Sequence, residues 1–327
     1  LSSLPNAQLI TLTCKDPLGA NVEATYTILE DKTAVIEMAA ASGLPLVPPA
    51  KRDPRVTSTF GTGELIRDAI HKGSREFIIG IGGSATNDAG LGMLRSLGFR
   101  FLNAQEEEVL YAKDLSSIIR IDQSNILPEL NACHFRIACD VTNPLYDPNG
   151  ASHVYGRQKG ADEAMIKFLD KEHQAFALLV ARELGDDKSQ MSGAGAAGGL
   201  GFGFVSFLNA TLESGISIVL EQVGFEEKLN GADFVITGEG KVDEQSAMGK
   251  VIDGVGALCK KHCVPCIVLT GNSFDATKEI HDKGITSVFS ILSKPVRLEE
   301  AMEKETALKL IQTKTEQLFR LIQGILL

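Results

Sequence analysis

Apolar and polar positions alternate over residues 9–14 and 22–29, which predicts two strands joined through the turn Asp16-Pro-Leu-Gly19. Residues 34–38 predict a third strand. A helical spacing then takes over in 63–71, where Leu65, Ile66, Ala69 and Ile70 share one side ahead of Gly73. Residues 77–81 (Phe-Ile-Ile-Gly-Ile) form an unbroken apolar run and predict a buried strand, followed by a helix over 88–97 with Gly98 at its end. A strand over 135–139 ends at Asp140, and an amphipathic helix over 162–184 closes at Gly185. A polar stretch, 186–192, reads as a loop, and the Gly-rich stretch 193–207 passes into a helix. From Asp233 the pattern becomes regular: strands at 234–237, 266–269 and 286–292, helices at 249–262 and 276–283, and a long helix over 298–325 broken once. Strands alternating with helices predict an α/β fold with a doubly wound parallel sheet, whose ligands sit at the carboxyl ends of strands.

The loop after the 77–81 run is therefore the first place to look for chemistry. Gly80, Gly82 and Gly83 let a ligand approach the backbone. Ser84, Thr86 and Asn87 present hydroxyl and amide groups where the predicted helix begins, a position suited to phosphate. Asp88 adds a carboxylate able to hold Mg²⁺ beside those phosphates. The alternative is a strand–loop–helix crossover that caps itself and binds nothing.

Thr237-Gly-Glu-Gly-Lys-Val-Asp243 places Glu239, Lys241 and Asp243 on a turn after a buried strand. Two acids and an ammonium suit metal-bound phosphate, the acids holding metal or taking a proton and the Lys neutralising charge. A solvated polar turn is the alternative. Lys250, opening the next helix, reads as a phosphate contact or an exposed first-turn Lys. Asp140 and Asn143, in Cys139-Asp-Val-Thr-Asn-Pro144, read as ligands of a metal or as turn residues. Lys159 reads as a contact to substrate carboxylate or phosphate, or as a surface Lys. Ala40-Ala-Ser-Gly43 reads as a pocket wall or a tight turn, and His153 as structural. Gly193-Ala-Gly-Ala-Ala-Gly198 fits GxGxxG in letters but follows a polar loop, so it is not a dinucleotide fingerprint. The sequence contains no P-loop and no protein-kinase HRD or DFG set.

Composition narrows the classes further. The 327 residues are 44% hydrophobic and 23% charged, ordinary for a globular chain of one large or two smaller domains. A formal charge of −10 argues against non-specific nucleic-acid binding, and Trp is absent as a stacking platform. No apolar run is long enough to span a membrane and no signal-peptide pattern opens the sequence, so a cytoplasmic location is expected. The first residue is Leu1 rather than Met, and a segment ahead of it is expected. Six Cys make no disulfide-dense pattern, and Cys259, Cys263 and Cys266 lack an obvious fourth zinc ligand.

The run at 80–93, Gly-Ile-Gly-Gly-Ser-Ala-Thr-Asn-Asp-Ala-Gly-Leu-Gly-Met, resembles the signature of the bacterial type-1 glycerate kinase family. Stretches at 33–44, 61–67, 138–145, 158–160, 193–200 and 235–246 agree with it in order, covering nearly the whole chain. The resemblance implies two α/β domains, one doubly wound and one inserted and mixed, with the active site in the cleft between them. Here the expected inserted domain is 10–225, with 1–9 and 226–327 as the remainder of a terminal domain whose N-terminal part is expected ahead of the given sequence. The family's Asp-Ser-Phe-Lys-like and Gly-Gly-Glu-Gly-Thr-like motifs are not in the sequence. The implied reaction moves the γ-phosphoryl of ATP to a hydroxyl of D-glycerate with Mg²⁺, commonly at the 2-position. On this reading Gly82, Gly83, Ser84, Thr86, Asn87, Gly195, Gly198 and Lys159 contact substrate or phosphate. Asp88 and Asp140 hold metal, Glu239 and Asp243 serve as metal ligand or base, and Lys241 is the cationic partner. The partners are the substrate and the nucleotide, with neither nucleic acid nor membrane, and assembly as a homo-oligomer is compatible with the sequence. Two alternatives stand beside it: a non-catalytic metabolite-binding protein of the same fold, and an NAD-dependent oxidoreductase resting on the weak GxGxxG matches.

Overall fold

The alternating opening residues form β1 (Gln8–Lys15) and β2 (Asn21–Ile28), paired antiparallel. Asp16 closes the turn between them, its Oδ1 accepting from the Leu18 and Ala20 amides at 2.8 and 2.9 Å. The structure, a computed structural model, describes residues 1–242, 250–273 and 278–326. It divides into two units, Leu1–Ile218 and Val219–Leu327; residues 1–9, expected with the terminal domain, cluster with the first unit.

In the first unit follow β3 (Ala34–Glu37), β4 (Glu76–Gly80), β5 (Arg100–Leu102), β6 (Arg120–Asp122), β7 (His134–Ala138) and β8 (Thr211–Glu213). Six of these strands make one sheet in the order β1-β2-β3-β4-β7-β8, and β5 with β6 makes a separate antiparallel ribbon. The sheet is mixed: β1, β2 and β3 are antiparallel neighbours, while β3, β4, β7 and β8 run parallel. The apolar run of the sequence is thus β4, flanked on both sides, with Phe77, Ile78 and Ile79 all buried as befits an inner parallel strand. Phe77 stacks on Phe135 of β7 with ring centroids 4.8 Å apart, and Phe135 packs on Phe204 at 6.0 Å.

Helices Phe60–His71, Glu163–Leu184 and Ala196–Phe207 deliver their apolar residues to the same core. Helix Glu163–Leu184 begins where Asp162 Oδ1 accepts from Met165 N at 2.8 Å. It stops at Gly185, whose φ of +81° an L side chain resists. Its buried stripe, including Ile166, Leu169, His173, Phe176 and Val180, recurs at helical spacing and carries two polar residues, Glu172 and His173.

The second unit holds a parallel sheet of β9 (Val235–Val242), β10 (Cys266–Ser273) and β11 (Ser287–Ser290), in the order β11-β10-β9. Helices Lys250–Lys261, Lys278–Asp282, Leu298–Ala301 and Lys304–Leu326 complete it.

Three expectations change. The helix expected from Asp88 starts at Leu91, because Asp88 is drawn into a hydrogen-bonded loop described below. The turn expected after Thr237 is strand: β9 runs on to Val242 because β10 offers it a partner, with Glu239 opposite Thr270. The β5–β6 ribbon and β8 escaped the sequence pattern, since a strand of three residues shows no period. Among the described residues no helix is long and apolar enough to cross a membrane.

Candidate active site

β3, β4, β7 and β8 all end on one edge of the sheet, and the loop leaving β4 begins there. Within 81–90 only Gly82 and Gly83 are exposed. Gly83 has φ +74°, which makes this turn open to glycine and strained for other residues. A Cβ at Gly82 would meet nothing within 4 Å, so a ligand can come up against the backbone there. Among the described residues the Gly82 and Gly83 amides have no acceptor. The loop is held against the segment after β3: Leu44 N donates to Gly83 O at 2.8 Å, and Ala85 N to Ser42 O at 3.0 Å. Residues 40–43 therefore buttress the turn.

Behind the turn the loop plunges inward, and Thr86, Asn87 and Asp88 are each 0% exposed. Asp88 accepts four hydrogen bonds: from Thr59 N at 2.8 Å, Thr59 Oγ1 at 2.9 Å, Gly92 N at 3.1 Å and Gly90 N at 3.3 Å. Burial pushes its carboxyl pKa up, against the pull of those donors. Lys159 Nζ donates to Thr86 O at 2.6 Å, and the His173 Nε2–H donates to Asn87 O at 2.8 Å. Asn87 Nδ2 in turn donates to Ser152 Oγ at 2.9 Å. Burial takes the Lys159 pKa down to about 7, with the Asp88 charge opposing the fall, and takes His173 down to about 4. From the other side, Ala89 N donates to Gly198 O at 3.0 Å.

This layer revises several site assignments. Asp88 does not fit a metal site: it is enclosed and committed to four donors. The amides of Gly90 and Gly92, which a phosphate at the helix start would use, already serve this internal anion. Lys159, 1% exposed, braces the loop from inside instead of facing a substrate. Gly195 and Gly198 are buried points of backbone contact, an added Cβ falling 2.0 Å from Pro144 O and 2.1 Å from Thr86 O respectively. Thr86 Oγ1 and Asn87 Oδ1 are buried without a partner. Gly82 and Gly83 form the outer part of the loop, with the buried Ser84 directly behind them.

The other candidates have the following settings. Asp140 Oδ1 accepts from Gly215 N at 3.1 Å and Ser214 Oγ at 3.3 Å, bracing the start of helix Gly215–Gln222. Asn143 receives the Tyr155 hydroxyl at 2.7 Å and donates to Asn149 O at 2.9 Å, a local tie. His153 lies 3.8 Å from Asp170. Glu239 sits half-buried in β9, which also carries Lys241 in its backbone run. Asp243 lies outside the described residues, and Lys250 opens helix Lys250–Lys261. Among the described residues no three His, Cys, Asp or Glu gather as a metal site.

Sequence reading passed over Thr59, Ser152 and His173. The signal for His173 was present, a polar residue on the apolar stripe between Leu169 and Phe176. Its depressed pKa carries a pH prediction. Above pH 6.5 folded and unfolded chains both hold it neutral; as pH falls from 6.5 through about 4 only the unfolded chain gains the proton, so stability is lost. The loss is about 3 kcal/mol at most. Thermal unfolding from pH 6.5 to 4.5 should therefore fall less steeply in His173→Gln, which keeps an amide donor and does not titrate. Equal slopes would show that His173 does not take part.

A mixed α/β unit with a glycine turn at the end of an inner parallel strand presents that turn where α/β proteins bind their ligands. The sequence model of the glycerate kinase family matches residues 1–323, and the chain belongs to that family. The glycerate kinase of Bacillus cereus (strain ATCC 10987 / NRS 248) is 46% identical over 298 residues, 90% of this chain and 78% of the relative. The glycerate 2-kinase of Escherichia coli (strain K12) is 48% identical over 287 residues, 87% of this chain and 75% of the relative. A crystal structure named as glycerate kinase 2 from Salmonella typhimurium LT2 superposes with a TM-score of 0.86 at 42% identity, over 98% of this chain and 84% of that one.

Proposed function

We propose that the protein transfers the γ-phosphoryl group of ATP to D-glycerate, at the 2-hydroxyl in preference to the 3-hydroxyl. The observation that carries this is kinship along the whole chain with relatives named glycerate kinase and glycerate 2-kinase, at 46% and 48% identity. The exposed Gly82–Gly83 turn supports it, because its amides offer hydrogen bonds to an anionic substrate where the sheet presents its strand ends.

Phosphoryl transfer asks for positioning and charge neutralisation more than covalent chemistry. In this reading the Gly82 and Gly83 amides and the Ser84 hydroxyl orient glycerate. Thr59, Asp88, Lys159, Ser152 and His173 keep the loop in one conformation, so little is lost to ordering when substrate arrives. Glu239 and Asp243 are assigned as base and charge-balancing acid, with Lys241 stabilising the transferring charge. Mg²⁺ enters with the nucleotide as part of the substrate MgATP, and no step is assigned to Asp88 or Asp140 as its ligand. The partners are small molecules, and the setting is the cytoplasm.

The test is turnover of D-glycerate with MgATP, the products resolved by ³¹P NMR. A 2-phosphoglycerate resonance is the expected result. ATP binding with no phosphoglycerate formed would turn the reading towards a non-catalytic binding protein.

A further inference from the structure

Arg52 is a half-buried cation that neither the sequence pattern nor the loop scaffold accounts for. Its Nε donates to Val47 O and its Nη1 to Gln158 O, both at 3.4 Å. Each of those carbonyls belongs to a segment that grips the glycine loop. Val47 N donates to Leu44 O, and Leu44 N donates to Gly83 O. Gln158 precedes Lys159, whose Nζ donates to Thr86 O. The guanidinium therefore bridges two segments that hold the loop. The chain makes room for it: Gly160 has φ +96°, and a Cβ there would stand 2.3 Å from Arg52 O.

The chemistry of this placement is unbalanced. The neighbouring acid, Asp53, is bound by Arg55 through Nε and Nη2 at 2.7–3.2 Å. Among the described residues no acid pairs with Arg52. Two long bonds to carbonyls leave most of a five-donor planar fork unmet. The remaining donors are available to a ligand, and a carboxylate is the partner whose two oxygens match the fork. One guanidinium supplies one positive charge, which balances a single carboxylate and not a triphosphate.

We propose that Arg52 binds the carboxylate of the acid substrate against the Gly82–Gly83 turn, and so makes the enzyme select a hydroxy acid over an uncharged polyol. This rests on the function proposed above. The reactive hydroxyls are then presented by an anchor that takes no part in the transfer.

The test uses the full chain and the variants Arg52→Gln and Arg52→Lys, with D-glycerate, glycerol as the uncharged analogue, and MgATP. D-glycerate binding is followed by calorimetry alongside steady-state kinetics. Arg52→Gln is expected to raise KM for D-glycerate about 30-fold, as loss of a charge-assisted pair implies. KM for ATP should stay within about twofold, and the preference for D-glycerate over glycerol should fall by the same factor as the KM change. Arg52→Lys, which keeps the charge and loses the fork, should fall between, and it decides the matter if Arg52→Gln does not fold. An unchanged KM for D-glycerate in a folded variant overturns the assignment, as does a rise confined to ATP, which would give Arg52 to the nucleotide. If the wild-type chain turns over D-glycerate while Arg52→Gln matches it, only the Arg52 role falls. If the wild-type chain neither binds nor phosphorylates D-glycerate, the proposed function falls and takes this role with it.

Discussion

Asp88→Ala is expected to destabilise the first unit by about 3–5 kcal/mol, the range for removing one member of a buried charged network. The substitution strips the acceptor from Thr59 N, Thr59 Oγ1, Gly90 N and Gly92 N at once, all inside the protein. It also removes the negative charge nearest the buried Lys159 ammonium, whose charged form Asp88 favours. Asp88→Asn keeps the volume but turns one acceptor into an N–H among N–H groups, and should cost about 2–3 kcal/mol. Urea unfolding of the three proteins measures this directly. A loss below about 1 kcal/mol for Asp88→Ala would mean that the carboxylate is not the keystone of the loop. If Asp88 instead served a metal, its removal would cost activity with little change in stability in metal-free buffer, so the two roles separate cleanly.

Gly198→Ala is the second large effect. Gly198 has φ +71°, and its Cβ would lie 2.1 Å from Thr86 O and 2.6 Å from the Asn87 Cα. The left-handed backbone alone costs about 1–2 kcal/mol for an L residue. The clash adds about 1–3 kcal/mol, because both atoms are backbone and cannot rotate away. Gly185→Ala supplies the comparison: φ is +81° and nothing lies within 4 Å of the added methyl. It pays the backbone cost alone, and the difference between the variants isolates the clash. Because the methyl presses on Thr86, the displacement should reach Gly82 and Gly83 and raise KM for D-glycerate in Gly198→Ala but not in Gly185→Ala. Equal stability and equal KM in the two would show that the 193–199 segment does not set the loop.

Much of the architecture was legible because its signals are local. The β1–β2 hairpin announced itself by alternation and by Asp16 and Gly19 in the turn. β4 was visible as an apolar run, and helix Glu163–Leu184 by its stripe and its Gly185 stop. The loop after β4 stands out in the sequence by its glycines and small polar residues, but the sequence does not sort those residues by the side they face. Ser84 to Asp88 read as one ligand-facing set, whereas the chain turns inward after Gly83. Lys159 reads in the sequence as a substrate contact or as a surface Lys; burial, invisible in the letters, makes it a brace.

The sequence by itself determined the class of fold, the family, and the location of the glycine turn, because periodicity, caps and glycines act over a few neighbouring residues. Only the tertiary structure decided which loop groups face outward and which form the scaffold. The bonds that decide it join residues far apart in the chain: Asp88 to Thr59 across 29 positions, Lys159 to Thr86 across 73, and His173 to Asn87 across 86. A polar side chain near a glycine loop can serve a ligand or the backbone beneath it with the same donors. Which one it serves depends on where distant segments pack, and no local pattern encodes that.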